Sequence, residues 1–271
     1  MKYELLVLDL DGTLTNSRKE VSQYTLRVLR EAQQRGVKVV LASGRPAYGI
    51  APLAELLELE HYGGFVLAYN GGEIIDWKSK ELLYANVLEP SVIPYMYRCA
   101  KENNFAIVTY RGKYVLTETP DDEYVLKEAI LNVMETKKVD NFLKAIDFPL
   151  PKCLIVGDAE RLARLEPVMR EELKETNEVY RSEPYFLELV PKGIDKARSL
   201  AVLSGMIGIP AENMIACGDG FNDLSMIQYA GLGVAMSNAQ PIIKQHADYI
   251  TCSNDEDGVA RVIEKFILSK E

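Results

Sequence analysis

Thiols and imidazoles are scarce in this sequence: 271 residues hold four cysteines and two histidines. Cys99, Cys153, Cys217 and Cys252 stand far apart without a C-x-x-C pair, and only His61 and His246 could assist them. That excludes a disulfide scaffold and a structural zinc site. Positive charge is also short, with 31 Lys and Arg against 40 Asp and Glu and a net charge of −9. No global positive field exists to hold a nucleic-acid backbone or an anionic lipid surface, so neither nucleic acid nor membrane is an expected partner. No apolar run approaches the roughly 18 residues of a membrane span. The opening MKYELLVLDLDG is too short in apolar residues for a secretory signal and soon meets acids. The chain reads as cytoplasmic, with reduced thiols. Repeats, low-complexity tracts and Pro-rich linkers are absent as well. What is present is an ordinary globular composition, 48% apolar and 26% charged, at a length that buries one large core or two modest ones.

Apolar runs of strand length alternate with segments of helical period, the pattern of a parallel sheet covered by helices. Glu4 to Leu8 reads as a buried strand. Ser22 caps a helix carrying Leu26, Leu29 and Ala32 inward, Gly36 stops it, and Val37 to Leu41 is the next strand. Phe65 to Tyr69 continues the series up to the Asn70-Gly71-Gly72 turn. From about Trp77 to Glu188 the texture changes. Strands are expected at Leu83 to Leu88, Phe105 to Tyr110, Tyr114 to Thr117, Lys152 to Val156 and Phe186 to Val190. Hairpin signals such as Arg111-Gly112-Lys113 interrupt them, and helices are expected at Val92 to Asn103, Asp122 to Thr136 and Ala159 to Thr176. After Lys192 the alternation resumes, with strands at Met214 to Cys217, Leu232 to Ala235 and Tyr249 to Cys252. The expected class is α/β: a Rossmann-like parallel-sheet core of residues 1–83 and 189–271, with an inserted α+β domain of residues 84–188.

Acidic residues gather at two strand ends. The first strand runs into Asp9-Leu10-Asp11-Gly12-Thr13-Leu14, and in an open α/β sheet ligands bind at the carboxyl ends of strands. Extended backbone sends Asp9 and Asp11 to the same side, and Gly12 permits a sharp turn directly after them. Carboxylates so close repel unless a divalent cation sits beside them or one is protonated, and both conditions serve phosphoryl transfer. The second cluster, Gly218-Asp219-Gly220-Phe221-Asn222-Asp223, follows the strand Met214 to Cys217. Mg²⁺ takes one or two protein carboxylates plus substrate phosphate, and Asp9 with Asp219 would suffice. Ala42-Ser43-Gly44-Arg45, together with Lys192 and Lys196, adds a hydroxyl, backbone N–H groups and ammonium groups suited to a phosphoryl group's oxygens. Taken singly, each has a plainer reading: Asp-x-Asp-Gly as a solvated turn, Asp223 as a helix cap, Asn222 as a turn residue, Ser43 as an N-cap, Arg45 as a salt-bridge brace. Together, at the ends of several strands, they favour a joint site.

In order and spacing, DLDGTL at Asp9 to Leu14, ASGR at Ala42 to Arg45, the Lys196 region and GDGFND at Gly218 to Asp223 resemble the four motifs of the haloacid dehalogenase superfamily. The insertion between the second and third motifs resembles the type IIB cap of the Cof-type sugar phosphatases, and the segments 233–239 and 253–259 also resemble that subfamily. The resemblance spans essentially the whole chain. Where that family's third motif reads Lys-Gly, Ala197 follows Lys196 here. The resemblance implies a Mg²⁺-dependent phosphatase for a small phosphorylated metabolite, with sugar phosphates as the expected class. It implies that Asp9 is the nucleophile that becomes an aspartyl-phosphate and that Asp11 is the acid and then the base. The metal would be held by Asp9, the backbone carbonyl of Asp11 and Asp219, with Asp223 bound to it through water or anchoring the other ligands. Ser43, Gly44 and Lys196 would grip the phosphoryl group, Asn222 would orient it, and Thr13 would buttress the Asp11 loop. Two other functions fit the same residues, a phosphosugar mutase and a non-catalytic aspartyl-phosphate sensor. Asp11 speaks against the sensor, because a placed acid/base shortens the life of the phosphorylated carboxylate.

Overall fold

A computed structural model describes residues 2–269. Strands β1 (Leu5–Leu8), β2 (Lys38–Ala42) and β3 (Phe65–Ala68) are parallel, β2 lying between the other two. All four residues of β1 are buried, so both faces are covered, which is why β1 reads as an unbroken apolar run. The helix Gln23–Gln34 starts at Ser22, whose hydroxyl accepts from the Thr25 N–H at 3.0 Å. Its buried stripe is Thr25, Val28, Leu29, Ala32 and Gln33. Leu26, expected inward, is only half-buried, because the 3.6-residue period that carries Leu29 and Ala32 selects Thr25 and Val28 instead.

The chain next adds β4 (Glu73–Asp76), antiparallel to β3, and β5 (Glu81–Ala85) beyond it. The sequence reading ended the core at residue 83 and expected a strand from Leu83 to Leu88; the strand lies earlier, as β5, and is the edge of the core sheet. The Asp76 carboxylate, accepting from the Lys78 and Ser79 N–H groups at 2.8 and 3.2 Å, turns the chain back here.

The inserted segment supplies β6 (Ala106–Arg111), β7 (Tyr114–Thr117), β8 (Glu135–Lys138), β9 (Cys153–Val156), β10 (Asn177–Glu183) and β11 (Phe186–Pro191). They form a second sheet in the order β10-β11-β9-β6-β7-β8, mixed because β7 and β8 are parallel. One face, with Ile107, Ile155, Leu187 and Leu189, packs with Met96 and Ala100 of helix Ile93–Glu102 and Leu162 and Met169 of helix Ala159–Leu173. The expected helix of residues 122–136 is shorter, Glu123–Leu131. Val133 has a positive φ of 54°, and the charged run after it is an edge strand whose polarity suits an unpaired flank. Strand β10 was not anticipated, since its polar sequence carries no clean alternation.

By contacts the chain divides into two units: residues up to Tyr84 with those from Asp195 onward, and Ala85–Ile194. The return to the core thus lies later than the 189 expected. Strand β11 runs on to Pro191, paired with Asn177, and the Gly193 N–H donates to Glu178 at 3.0 Å, which keeps these residues with the inserted sheet. The core then closes with β12 (Met214–Gly218), β13 (Leu232–Ala235) and β14 (Tyr249–Ile250). Its strand order is β14-β13-β12-β1-β2-β3-β4-β5. Strand β1 is flanked by β2 and β12, with Leu8 opposite both Leu41 and Cys217. Three loops distant in sequence therefore leave the same end of the sheet side by side. The fold is the α/β Rossmann-like core with a mixed α+β insertion. Among the described residues no helix is long and apolar enough to cross a membrane.

Ile155 is fully buried in the middle of the inserted sheet. Ile155→Ala is expected to cost about 2–5 kcal/mol of stability, measured by urea unfolding followed by circular dichroism.

Candidate active site

Strand β1 delivers Asp9 to the sheet's carboxyl edge, where its N–H bonds the Cys217 carbonyl at 3.1 Å as a continuation of the ladder. The chain then turns: the N–H groups of Leu14 and Thr15 reach back to the carbonyls of Asp9 and Leu10 at 3.2 and 2.9 Å. Gly12 has φ +86°, and a Cβ there would fall 2.4 Å from an Asp219 oxygen. Only glycine fits that close approach. Thr13 donates its hydroxyl to Asp219 Oδ1 at 2.8 Å, so what it braces is Asp219 rather than the Asp11 loop.

At the centre lies Lys196, the first residue of helix Lys196–Ile207 after the N-cap Asp195. Its side chain is wholly buried, and Nζ donates to Asp9 Oδ1 at 2.7 Å, Asp223 Oδ1 at 2.6 Å and the Ala42 carbonyl at 2.8 Å. All three ammonium donors are thereby used. Lys192, the other lysine considered, donates to the Lys174 carbonyl at 2.8 Å within the inserted unit. Asp223 is both a cap and an ion-pair partner, since its Oδ2 accepts from the Asp219 and Gly220 N–H groups, each at 2.9 Å.

One carboxylate oxygen from each of Asp9, Asp219 and Asp223 lies within 4.8 Å of the others. Three carboxylates beside one ammonium leave an excess of two negative charges. Burial, then repulsion from Asp223, pushes the Asp9 carboxyl up to about 8, against the pull of Lys196. Burial likewise raises Asp219 to about 6. Lys196 moves upward too: burial opposes its charge, but Asp223 and Asp9 outweigh that. A set of hard oxygen donors with surplus negative charge fits a divalent cation of the Mg²⁺ type.

Asp11 stands apart from this cluster. Arg45 grips its carboxylate from Nε at 2.9 Å and from Nη2 at 2.6 Å, and Lys19 Nζ adds a contact at 2.7 Å. Partial burial works to raise its pKa, but the bonds from Arg45 and Lys19 hold it below the usual carboxylate range. Of the two roles considered for Arg45, the structure displays the salt-bridge brace. Ser43 is buried, and its hydroxyl accepts from the Arg45 N–H at 3.2 Å rather than capping the next helix, which begins at Ala47. The Asn222 side chain donates to Asn70 Oδ1 at 3.0 Å. Sequence reasoning passed over Asn70 and Lys19: Asn70 stood in a turn, and nothing in the spacing links Lys19 to Asp11.

A family model for haloacid dehalogenase-like hydrolases matches residues 6–263. The chain belongs to the haloacid dehalogenase-like hydrolases. A 5-amino-6-(5-phospho-D-ribitylamino)uracil phosphatase of Bacillus subtilis, YcsE, is 36% identical over 98% of this chain and 96% of its own. A crystal structure of a haloacid dehalogenase-like hydrolase from Bacteroides thetaiotaomicron shares 55% identity, with a TM-score of 0.95 over 98% of this chain and 100% of that one. The subclass IIB sugar phosphatase BT4131 shares 25%, with a TM-score of 0.78 over 97% and 98% of the two chains. This hydrolase is a phosphatase of the IIB, Cof-type branch.

Removing the ammonium by Lys196→Met strands two buried carboxylates and is expected to destabilise the metal-free protein by about 3–5 kcal/mol. Lys192→Met should shift its melting temperature little, since that bond is exposed. In chelator, stability should fall as pH rises from about 4 to about 8: Asp9 and Asp219 hold protons when folded that they release when unfolded, so the folded state binds more protons across that window. Melting temperatures from pH 4 to 8 check this, and Asp9→Asn should flatten the slope.

Proposed function

We propose that this hydrolase cleaves small soluble phosphomonoesters, sugar phosphates above all, in a Mg²⁺-dependent reaction through an aspartyl-phosphate on Asp9. The observation that carries the reading is the bond network of Lys196, which orients Asp9 through Oδ1 alone. Among the described residues Asp9 Oδ2 accepts no hydrogen bond, leaving one carboxylate oxygen oriented and unengaged for attack. The preference for sugar phosphates is supported by two relatives, one a 5-amino-6-(5-phospho-D-ribitylamino)uracil phosphatase and one a subclass IIB sugar phosphatase.

In this reading Asp9 Oδ2 forms a bond to phosphorus as the ester oxygen leaves. Lys196 and Ser43 hold oxygens of the transferring group, Asn222 orients it, and Gly44 lets the backbone come close. Asp11 gives the departing alkoxide its proton, then takes one from the water that attacks the aspartyl-phosphate, returning Asp9 and inorganic phosphate. Because Arg45 and Lys19 stabilise the ionised form of Asp11, it must loosen from them to carry a proton. Asp9, Asp219, Asp223 and the Asp11 carbonyl would hold Mg²⁺. The ion supplies charge neutralisation, letting an anionic carboxylate meet an anionic phosphate. We assign substrate selection to the inserted unit, Ala85–Ile194.

A screen of phosphorylated metabolites with and without Mg²⁺ tests the reading, with released inorganic phosphate as readout. Phosphate release from sugar phosphates is expected only with the metal, and Ca²⁺ should substitute poorly because it takes more ligands at looser geometry. Asp9→Asn should abolish turnover with the fold intact. Asp11→Asn should lose alkyl phosphates far more than activated aryl phosphates, whose leaving group needs no proton. Lys196→Met should cost roughly 10²–10³ in kcat, as for loss of an oxyanion donor. Isomerised sugar phosphate in place of released phosphate would mark a mutase, and full activity after exhaustive chelation would refute the metal assignment.

A further inference from the structure

We propose that Asn70 is a phosphate-binding residue of this site: its amide NH₂ donates to an oxygen of the bound phosphoryl group while its Oδ1 keeps Asn222 in place. The proposal rests on the phosphatase reading, since it adds one ligand to the same anion.

The backbone supplies the first argument. Tyr69, Asn70 and Gly71 follow the end of β3 with φ values of 54°, 56° and 93°. Two of the three carry side chains in the left-handed region, which asparagine tolerates and a tyrosine seldom adopts. Such a conformation persists where surrounding bonds impose it, and it concentrates at functional sites. Here the Asn70 N–H donates to the Ser43 carbonyl at 2.8 Å, the Tyr69 N–H to the Arg45 carbonyl at 3.1 Å, and Ser199 Oγ to the Gly71 carbonyl at 2.7 Å. Glycine at position 70 would adopt the same turn, so the backbone alone does not require the asparagine side chain.

The destination of that side chain is the second argument. It lies so close to Gly44 that a Cβ there would come within 3.2 Å of Asn70 Nδ2. It also accepts the Asn222 hydrogen bond at 3.0 Å. Asn70 therefore joins the Ser43-Gly44 loop to the Asn222 loop, and its own N–H is anchored one residue beyond the Ala42 carbonyl that Lys196 holds. The third argument is valence. The bond from Asn222 uses Oδ1, and Nδ2 donates to no described residue. A half-buried amide donor left over between two anion-gripping loops matches an acceptor-only phosphoryl oxygen.

The test is calorimetric binding of orthovanadate in Mg²⁺ buffer to the wild type, Asn70→Gly and Asn70→Asp, with melting temperatures alongside. Asn70→Gly fits the same positive φ, so its melting temperature should stay close to that of the wild type, while vanadate binding weakens about tenfold or more. Asn70→Asp keeps the acceptor for Asn222 but turns a carboxylate toward the anion, and should bind at least as weakly. Wild-type affinity in Asn70→Asp would confine the residue to holding Asn222 and overturn the proposal. Unchanged affinity in Asn70→Gly, or no vanadate binding by the wild type, would overturn it equally. Wild-type turnover of a phosphomonoester is scored separately and decides the phosphatase reading on its own.

Discussion

One buried ammonium holds the site together. Lys196 touches a carboxylate from the β1 loop, a carboxylate from the β12 loop and a carbonyl from the end of β2. Each of those loops brings negative charge or lone pairs into a space closed to water, and none could be buried there without a cation between them. The remaining imbalance is equally informative. Three carboxylates around one ammonium are more than a stable interior needs, and burial, joined by repulsion from Asp223, pushes Asp9 and Asp219 upward. A site that stores negative charge in this way is built to receive positive charge.

The neighbouring acid is treated in the opposite manner. Asp11 is held ionised by a guanidinium and an ammonium at the rim, only two residues from a carboxyl whose burial favours its protonated form. Two acids of identical chemistry thus acquire different electrostatic characters from their surroundings alone. Without a cation that division runs opposite to attack by Asp9 and proton donation by Asp11: a bound divalent ion would return Asp9 to its ionised form, and release from Arg45 and Lys19 would let Asp11 take up a proton.

The backbone is shaped to the same end. Gly12 turns the chain so tightly that Asp219 packs where a side chain would be, and Thr13 fastens Asp219 in that position. Across the site, the left-handed turn at Tyr69 to Gly71 brings an amide between the Ser43-Gly44 loop and the Asn222 loop. These are local distortions at the ends of regular strands, and the parallel ladder on both sides of β1 is the rigid frame that sustains them.

Much of this was legible in the sequence because its signals are local. Unbroken apolar runs marked the buried strands, Ser22 and Asp195 announced their helices, and the acids at Asp9, Asp11, Asp219 and Asp223 declared themselves by position after strands. Boundaries at polar edges were not legible: β8 and β10 lack an apolar face, β5 looked like part of the insertion, and the return crossing moved to Asp195 because hydrogen bonds to Glu178 and Asn177 extend the inserted sheet. The sequence by itself determined the buried strands, the helices with clear caps, the class of fold and the four polar segments that follow strands or open a helix, since each depends on residues within one turn or one strand. Only the tertiary structure decided which groups meet. Parallel pairing of β1 with β2 and β12 set Lys196 between Asp9 and Asp223, gave Asp11 to Arg45 and Lys19, and put Asn70 against Asn222. Charge and hydrogen bonding act across a few ångströms of space, a distance that separation along the chain does not encode.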